Sequence, residues 1–169
     1  MTIDEVDSYA FLPRAFRTIY EAEPWADHEP AWAPFEPPVG EARVALLSSA
    51  GIHLLDGQEP FDVERERREP TWGDPTLRVI PAGVTQEGIG VTHLHIDTSD
   101  IEADINVALP VHRLAELAAE GMIGEASPVN FSVMGYQEHG AATWRDVTGP
   151  EIAARCHAAD IDALILAPA

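Results

Sequence analysis

The segment "HLHID", residues 93 to 97, sets two imidazoles and a carboxylate at alternating positions. Successive side chains of an extended strand point to opposite faces, so His93, His95 and Asp97 would share one face. Such a trio is a donor set that zinc or iron accepts. The same imidazoles are equally suited to moving protons near neutral pH, where histidine ordinarily titrates. A third reading makes one histidine a packing residue and the other a hydrogen-bond partner of a loop, and the spacing leaves all three open.

The wider stretch "THLHIDTSDIEADIN", residues 92 to 106, separates into two devices. In its first part "HLHIDT" resembles the His-x-His-x-Asp-His motif of metallo-β-lactamase-fold hydrolases, but Thr98 stands where the last histidine of that motif would be. In its second part Ser99 followed by Glu102 has the form of a capping box, with Ile101, Ile105 and Ala108 at helical spacing behind it. Asp100 and Glu102 then belong to a first helical turn, where the helix dipole favours negative charge. Asp104 and Asn106 lie deeper and are expected to bind substrate or brace a loop.

These residues need elements to hold them. "RVALLSS" from Arg43 is a short apolar run ending in Ser-Ser-Ala-Gly, the pattern of a buried parallel strand entering a loop. "LRVI", "GVTHLHI" and "NFSVMG" read as further strands, and "IDALILAPA" as a final buried one. Pro110 and Gly121 bound one helix, "PVHRLAELAAEG". Thr148 with Glu151 is a second capping box, opening "GPEIAARCHAAD". Strands alternating with helices imply an α/β fold, with a mostly parallel sheet covered by helices on both faces, Rossmann- or flavodoxin-like.

Residues 56 to 75 read as a long polar loop in which "RERR" is offset by Glu64, Glu66 and Glu69 and left in solvent. At the front, residues 1 to 41 are expected to form an N-terminal helix and then a proline- and tryptophan-rich arm, with residues 42 to 169 as the α/β domain.

Ligands gather beyond the carboxyl ends of the strands in an open parallel sheet. Gly51 and His53 follow the first strand, His95 and Asp97 end another, and Tyr136 and His139 follow "NFSVMG". These loops should meet at one edge. His53, His95 and Asp97 are the expected catalytic residues, and Ser49, Gly51, Asp104, Asn106 and Tyr136 the expected substrate-binding ones. Ser49 and Gly51 belong to an "SSAG" turn whose backbone N–H groups suit an anionic group. Cys156 falls in line with Ile152 and Ala159 on one helix face and reads as packing.

Composition narrows the partners. Against 29 Asp and Glu there are 10 Lys and Arg, a formal net charge of −19, and that field repels phosphate backbones and anionic membranes. Neither nucleic acid nor a membrane is expected as a partner. With no apolar run long enough to cross a bilayer and no basic leader, the expected place of work is the cytoplasm. One cysteine excludes a disulfide within the chain.

The segments "EARVALLSSAGIHL", "PFDV", "WGDPTLRVIP", "HLHIDTSDIEADINVALPVHRLAELAAEGMIG" and "NFSVMGY" occur in one order. Together they resemble the selenoprotein B subunits of glycine, sarcosine, betaine and D-proline reductases and their shorter bacterial relatives. The resemblance implies an α/β domain and, in the reductases, reductive cleavage of a carbon–nitrogen bond by a selenol or thiol. That reactive residue is expected just after a strand like "ALILAP", whereas this sequence stops at Ala169 and Cys156 lies before that strand.

Three explanations follow: a selenocysteine codon read as a stop, a separate chain that supplies the missing half of the site, or an abandonment of selenol chemistry. An α/β domain that ends on an uncovered strand leaves apolar surface open, which favours a second, homologous subunit or a homodimer. The leading expectation is therefore a subunit of a reductase-like complex acting on a small amino-acid-like or amine substrate. The alternatives are a metal-dependent enzyme holding zinc or iron at His93, His95 and Asp97, and a non-catalytic partner subunit.

Overall fold

The structure, a computed structural model, describes residues 13–14, 33–137 and 141–169. The expected N-terminal helix and most of the proline-rich arm, together with His139, lie outside the described residues. The chain divides into two units, Met1–Pro34 and Phe35–Ala169, and the second carries the fold.

Its sheet is built on β1 (Arg43–Ser48), an apolar run whose alternate residues serve two cores. Val44 and Leu46 enter one, with Ile101, Ile105, Leu109, Val111 and Leu114. Ala45 and Leu47 enter the other, with Phe131, Val133, Ile152 and Cys156. A strand buried on both faces has no polar face to show, which is why "VALL" is continuous rather than alternating. The first core brings in α2 (Ser99–Ala103) and α3 (Val111–Ala119), and the second brings in the C-terminal helix, so helices do cover both faces.

Along one edge β1 pairs in parallel with β7 (Ala163–Ala167), and along the other with β5 (Glu125–Ala126) and β6 (Val129–Ser132). The register slips between β5 and β6. Three steps along β1, from Val44 to Leu47, match five from Ala126 to Phe131, leaving extra residues at Ser127 and Pro128. The Asn130 carboxamide fills the gap in the ladder, its Oδ1 accepting the Leu46 N–H at 3.0 Å, and this explains a fully buried asparagine inside a strand.

The expectation of a mostly parallel sheet needs correction. β3 (Arg78–Pro81) runs antiparallel to β6, with Arg78 opposite Ser132. β2 (Ile52–Leu54) and β4 (Ile89–Val91) form a separate antiparallel pair. The sheet is mixed, and the Rossmann- or flavodoxin-like arrangement is not the one formed. After β1 the chain stays at the carboxyl edge, building β2 and the helix α1 (Val63–Arg68), and enters β3 from that same edge. A parallel β3 would have required a return crossover.

Local expectations also change. Residues 56 to 75 are not all loop: Asp62 caps α1, its Oδ1 accepting from the Arg65 N–H at 2.9 Å. β4 stops at Val91, so "GVTHLHI" is a strand only at its start. The Ser99 capping box does not form, because Asp97 Oδ1 takes the Ser99 N–H at 3.0 Å and the Glu102 carboxylate accepts from the Thr98 hydroxyl. Thr148 is no cap either. α4 (Ala141–Thr143), a π-helical turn (Trp144–Thr148) and α5 (Gly149–Ala158) run on from one another, and the Thr148 hydroxyl donates to the Pro75 carbonyl at 2.6 Å. β7 forms as expected but as an edge strand, with Ile165 47% and Leu166 65% exposed. Among the described residues no helix is long and apolar enough to cross a membrane.

Candidate functional site

Three loops meet at the carboxyl edge of β1 and β6. The Gly51 N–H donates to the Val133 carbonyl at 3.0 Å, the Gly135 N–H to that of Ser49 at 2.9 Å and the Thr92 N–H to that of Gly51 at 2.9 Å. Gly51 makes this possible with φ at +68°, and a Cβ there would run into the Thr92 carbonyl. It is a close-approach residue rather than the anion cradle expected of "SSAG".

The loop after β4 then delivers its histidines. The His95 ring lies on Tyr136, centroids 4.1 Å apart and planes tilted by 37°, and His93 meets His95 edge-on at 5.8 Å. His93 Nδ1 accepts the His95 backbone N–H at 3.2 Å, so a neutral His93 carries its proton on Nε2. Burial at 8% exposure, with the charge of His95 adding to it, holds the His93 pKa below the ordinary value. His95 is exposed on its outer side, as a group that exchanges protons with a ligand must be.

His53 occupies a different place, in the antiparallel pair of β2 and β4. It is 7% exposed, its Nδ1 is 3.4 Å from the Thr92 hydroxyl, and its ring lies where a Cβ on Gly90 would be. Burial lowers its pKa, a hydrogen bond with the Gly51 backbone opposes this, and the Arg78 charge lowers it further. Its link to His93 and His95 runs through Thr92.

The geometry lends the metal reading no support. With β4 ending at Val91, alternation no longer places His93, His95 and Asp97 on one face, and Asp97 is spent on the Ser99 N–H. Among the described residues no three His, Cys, Asp or Glu side chains converge as a metal would require.

Asp104 and Asn106 are likewise committed to structure. Asp104 Oδ1 accepts from the Asn106 N–H and Nδ2, which hold its carboxyl below the usual range, while Asn106 Oδ1 accepts the His112 N–H at 3.1 Å near the start of α3. Ser49 Oγ accepts the Ala169 N–H at 2.9 Å and lines an apolar groove of about 240 Å³ with Leu47, Val133, Trp144 and Leu166.

Two residues enter the site that sequence reasoning left out. Glu66, assigned to a solvated loop, is only 3% exposed on α1, and its carboxylate is electrostatically coupled to His95. Burial is the main cause that pushes its carboxyl up, with the charges of Asp74 and Asp62 adding to it, while the Asp74 N–H and His95 pull it down. Gln137, next to Tyr136, donates from Nε2 to the Asp74 and Met134 carbonyls.

Comparison with known proteins agrees with the segment order. The model of the family described as glycine/sarcosine/betaine reductase selenoprotein B matches residues 14–169. The chain belongs to this family. It is also 31% identical over 137 residues to D-proline reductase subunit gamma of Acetoanaerobium sticklandii, covering 81% of this chain and 52% of that protein. The chain thus spans about half the length of this curated relative. No solved structure matches it. For a selenoprotein B-family chain the state of Cys156 is informative: it is packed in the second core, and burial pushes its thiol pKa up, the opposite of what a nucleophile needs.

The buried histidines give this family member a pH dependence of stability. His53 and His93 both titrate below the ordinary value near 6.5, so the unfolded chain binds more protons than the folded one between that value and the depressed one. The free energy of unfolding should therefore fall as pH drops below 6.5 and level off below the folded-state pKa values. Urea titrations across this range check it; His93→Gln should reduce the slope, and an unchanged slope in both His93→Gln and His53→Gln would refute the assignment.

Proposed function

We propose that the chain is a subunit of a reductase complex that cleaves a carbon–nitrogen bond in a small amino-acid-like or amine substrate. Membership of the selenoprotein B family and the likeness to a named reductase subunit support this class of reaction. The observation that carries it is the stack of His95 on Tyr136, beside His93, where the loops beyond β1 and β6 meet.

In this reading the substrate amine lies against His95. When carbon is attacked by a thiolate or selenolate, the carbon–nitrogen bond breaks and its electron pair leaves with nitrogen. The His95 imidazolium gives its proton to that nitrogen, so that an amine rather than an amide ion departs. His93 accepts the His95 N–H and fixes the loop, and His53 holds Thr92 beneath it. The chalcogen is one that Cys156 does not supply, because that residue packs, half-buried, against the second core and burial pushes its thiol pKa up; a partner chain is the source this reading favours. The edge strand β7, with Ile165 exposed on one face and Leu166 on the other, supports a protein partner.

The test is reconstitution. The chain is co-expressed with candidate partner chains of the same family and assayed anaerobically with dithiol and with D-proline, glycine, sarcosine or betaine. Substrate consumption that requires both chains is the expected result. A chain that stays monomeric with every candidate partner and consumes none of these substrates would overturn the reading.

A further inference from the structure

Glu66 carries a carboxylate that nothing in the fold answers. Its Oε1 accepts the Asp74 N–H at 3.2 Å, whereas Oε2 is buried and has no hydrogen-bond partner. Gln137 presents a matching case. Its Nε2 donates to the Asp74 carbonyl at 3.0 Å and the Met134 carbonyl at 3.2 Å, which fixes the orientation of the amide and leaves Oε1 buried without a partner. The two side chains thus reach the backbone of one residue, one at its N–H and one at its carbonyl, and each ends in an unused acceptor. Among the described residues these are the only buried side-chain oxygens in that state.

The surrounding charges single out Glu66. Asp74 is answered by Arg78 at 3.9 Å and by the N–H groups of Asp62 and Thr76. Asp62 caps α1 and is exposed. Glu66 forms no ion pair among the described residues, and the imidazole that acts on its carboxyl is that of His95, whose ring lies on Tyr136. Unused acceptors call for N–H donors, and a buried carboxylate calls for a positive charge.

We propose that Glu66 and Gln137 are the amine-recognition elements of the site, their free oxygens accepting from the N–H groups of an amine held beside His95 and Tyr136. This rests on the reading that the site takes an amine and adds which residues read it and what they select. A quaternary ammonium ion offers charge without N–H, so it leaves both oxygens unsatisfied. The ring face of Tyr136 favours any cation, whereas Glu66 and Gln137 discriminate for N–H.

Calorimetric titration of the full chain, in complex with its partner once reconstituted, tests this with two probes. Pyrrolidinium chloride should bind at least about tenfold more tightly than N,N-dimethylpyrrolidinium chloride, the ratio expected for one charge-assisted hydrogen bond. Glu66→Gln, which keeps the shape, should abolish that preference, and Glu64→Gln, on the exposed side of the same helix, should keep it. Gln137→Glu, which adds an anionic oxygen, should tighten pyrrolidinium binding and keeps the test decisive if Glu66→Gln fails to fold. Equal binding of the two probes, no binding of pyrrolidinium, or unchanged preference in Glu66→Gln would overturn the proposal. Selective pyrrolidinium binding in a complex that reduces nothing would remove the reductase reading and keep this site. Reduction with kcat/KM unchanged by Glu66→Gln would do the reverse.

Discussion

His95→Ala lowers kcat/KM of the reconstituted complex by about 10²–10⁴-fold, the range that a positioned proton donor contributes. The loss should fall mainly on kcat, because the proton is needed as the carbon–nitrogen bond breaks and less so when the substrate merely binds. Stability should stay within about 0.5 kcal/mol, since His95 is exposed on its outer side and gives up only its stack on Tyr136. His95→Gln separates the chemical from the packing role: it keeps a polar side chain over Tyr136 but has no imidazole to hand over a proton. Its rate should be as low as that of the alanine variant. A His95→Ala complex retaining a third or more of its activity would show that the proton comes from elsewhere.

The second large effect is structural. Gly51→Ala should lower the free energy of unfolding by about 2–5 kcal/mol, from the cost of a left-handed backbone for a residue with a Cβ and from the steric conflict it meets. At Gly51 φ is +68°, and the added carbon would strike the Thr92 carbonyl while crowding the Met134 side chain at 2.9 Å. Relief requires the Thr92 loop to move away, which breaks the Thr92 N–H to Gly51 carbonyl bond and carries His93 and His95 with it. Activity should therefore fall together with stability, whereas His95→Ala separates the two. Thermal melts and substrate turnover on the same preparation check this. Gly57→Ala is the control, at φ +78° but with open space around it, and should cost only the backbone part. Equal destabilisation at the two glycines would show that the close approach to Thr92 contributes nothing.

The sequence alone was enough for the elements with a purely local cause. Continuous apolar runs made β1 and β7 legible as strands. Pro110 and Gly121, the latter at φ +71°, bounded α3 correctly. The order of matched segments was enough for the family, which the match over residues 14–169 then showed. Listing the loops beyond the strands also put Gly51, His95 and Tyr136 in one neighbourhood, because chain direction in a parallel pair fixes which ends meet.

What the sequence could not hold was anything that depends on how distant segments return. The direction of β3 follows from α1 staying at the carboxyl edge, and an apolar run of four residues carries no sign of its direction. The period of two made His93, His95 and Asp97 look like a trio, but the pairing of β2 with β4 ends at Val91 and the ligand geometry ends with it. Asp97, Asp104 and Asn106 turned out to be caps, since short polar side chains near helix starts bond the nearest free N–H groups. Glu66 was hidden for the opposite reason. In "RERR" a glutamate among arginines satisfies every local rule for a solvated face, and only the tertiary packing of α1 buries its carboxylate and leaves one oxygen without a partner.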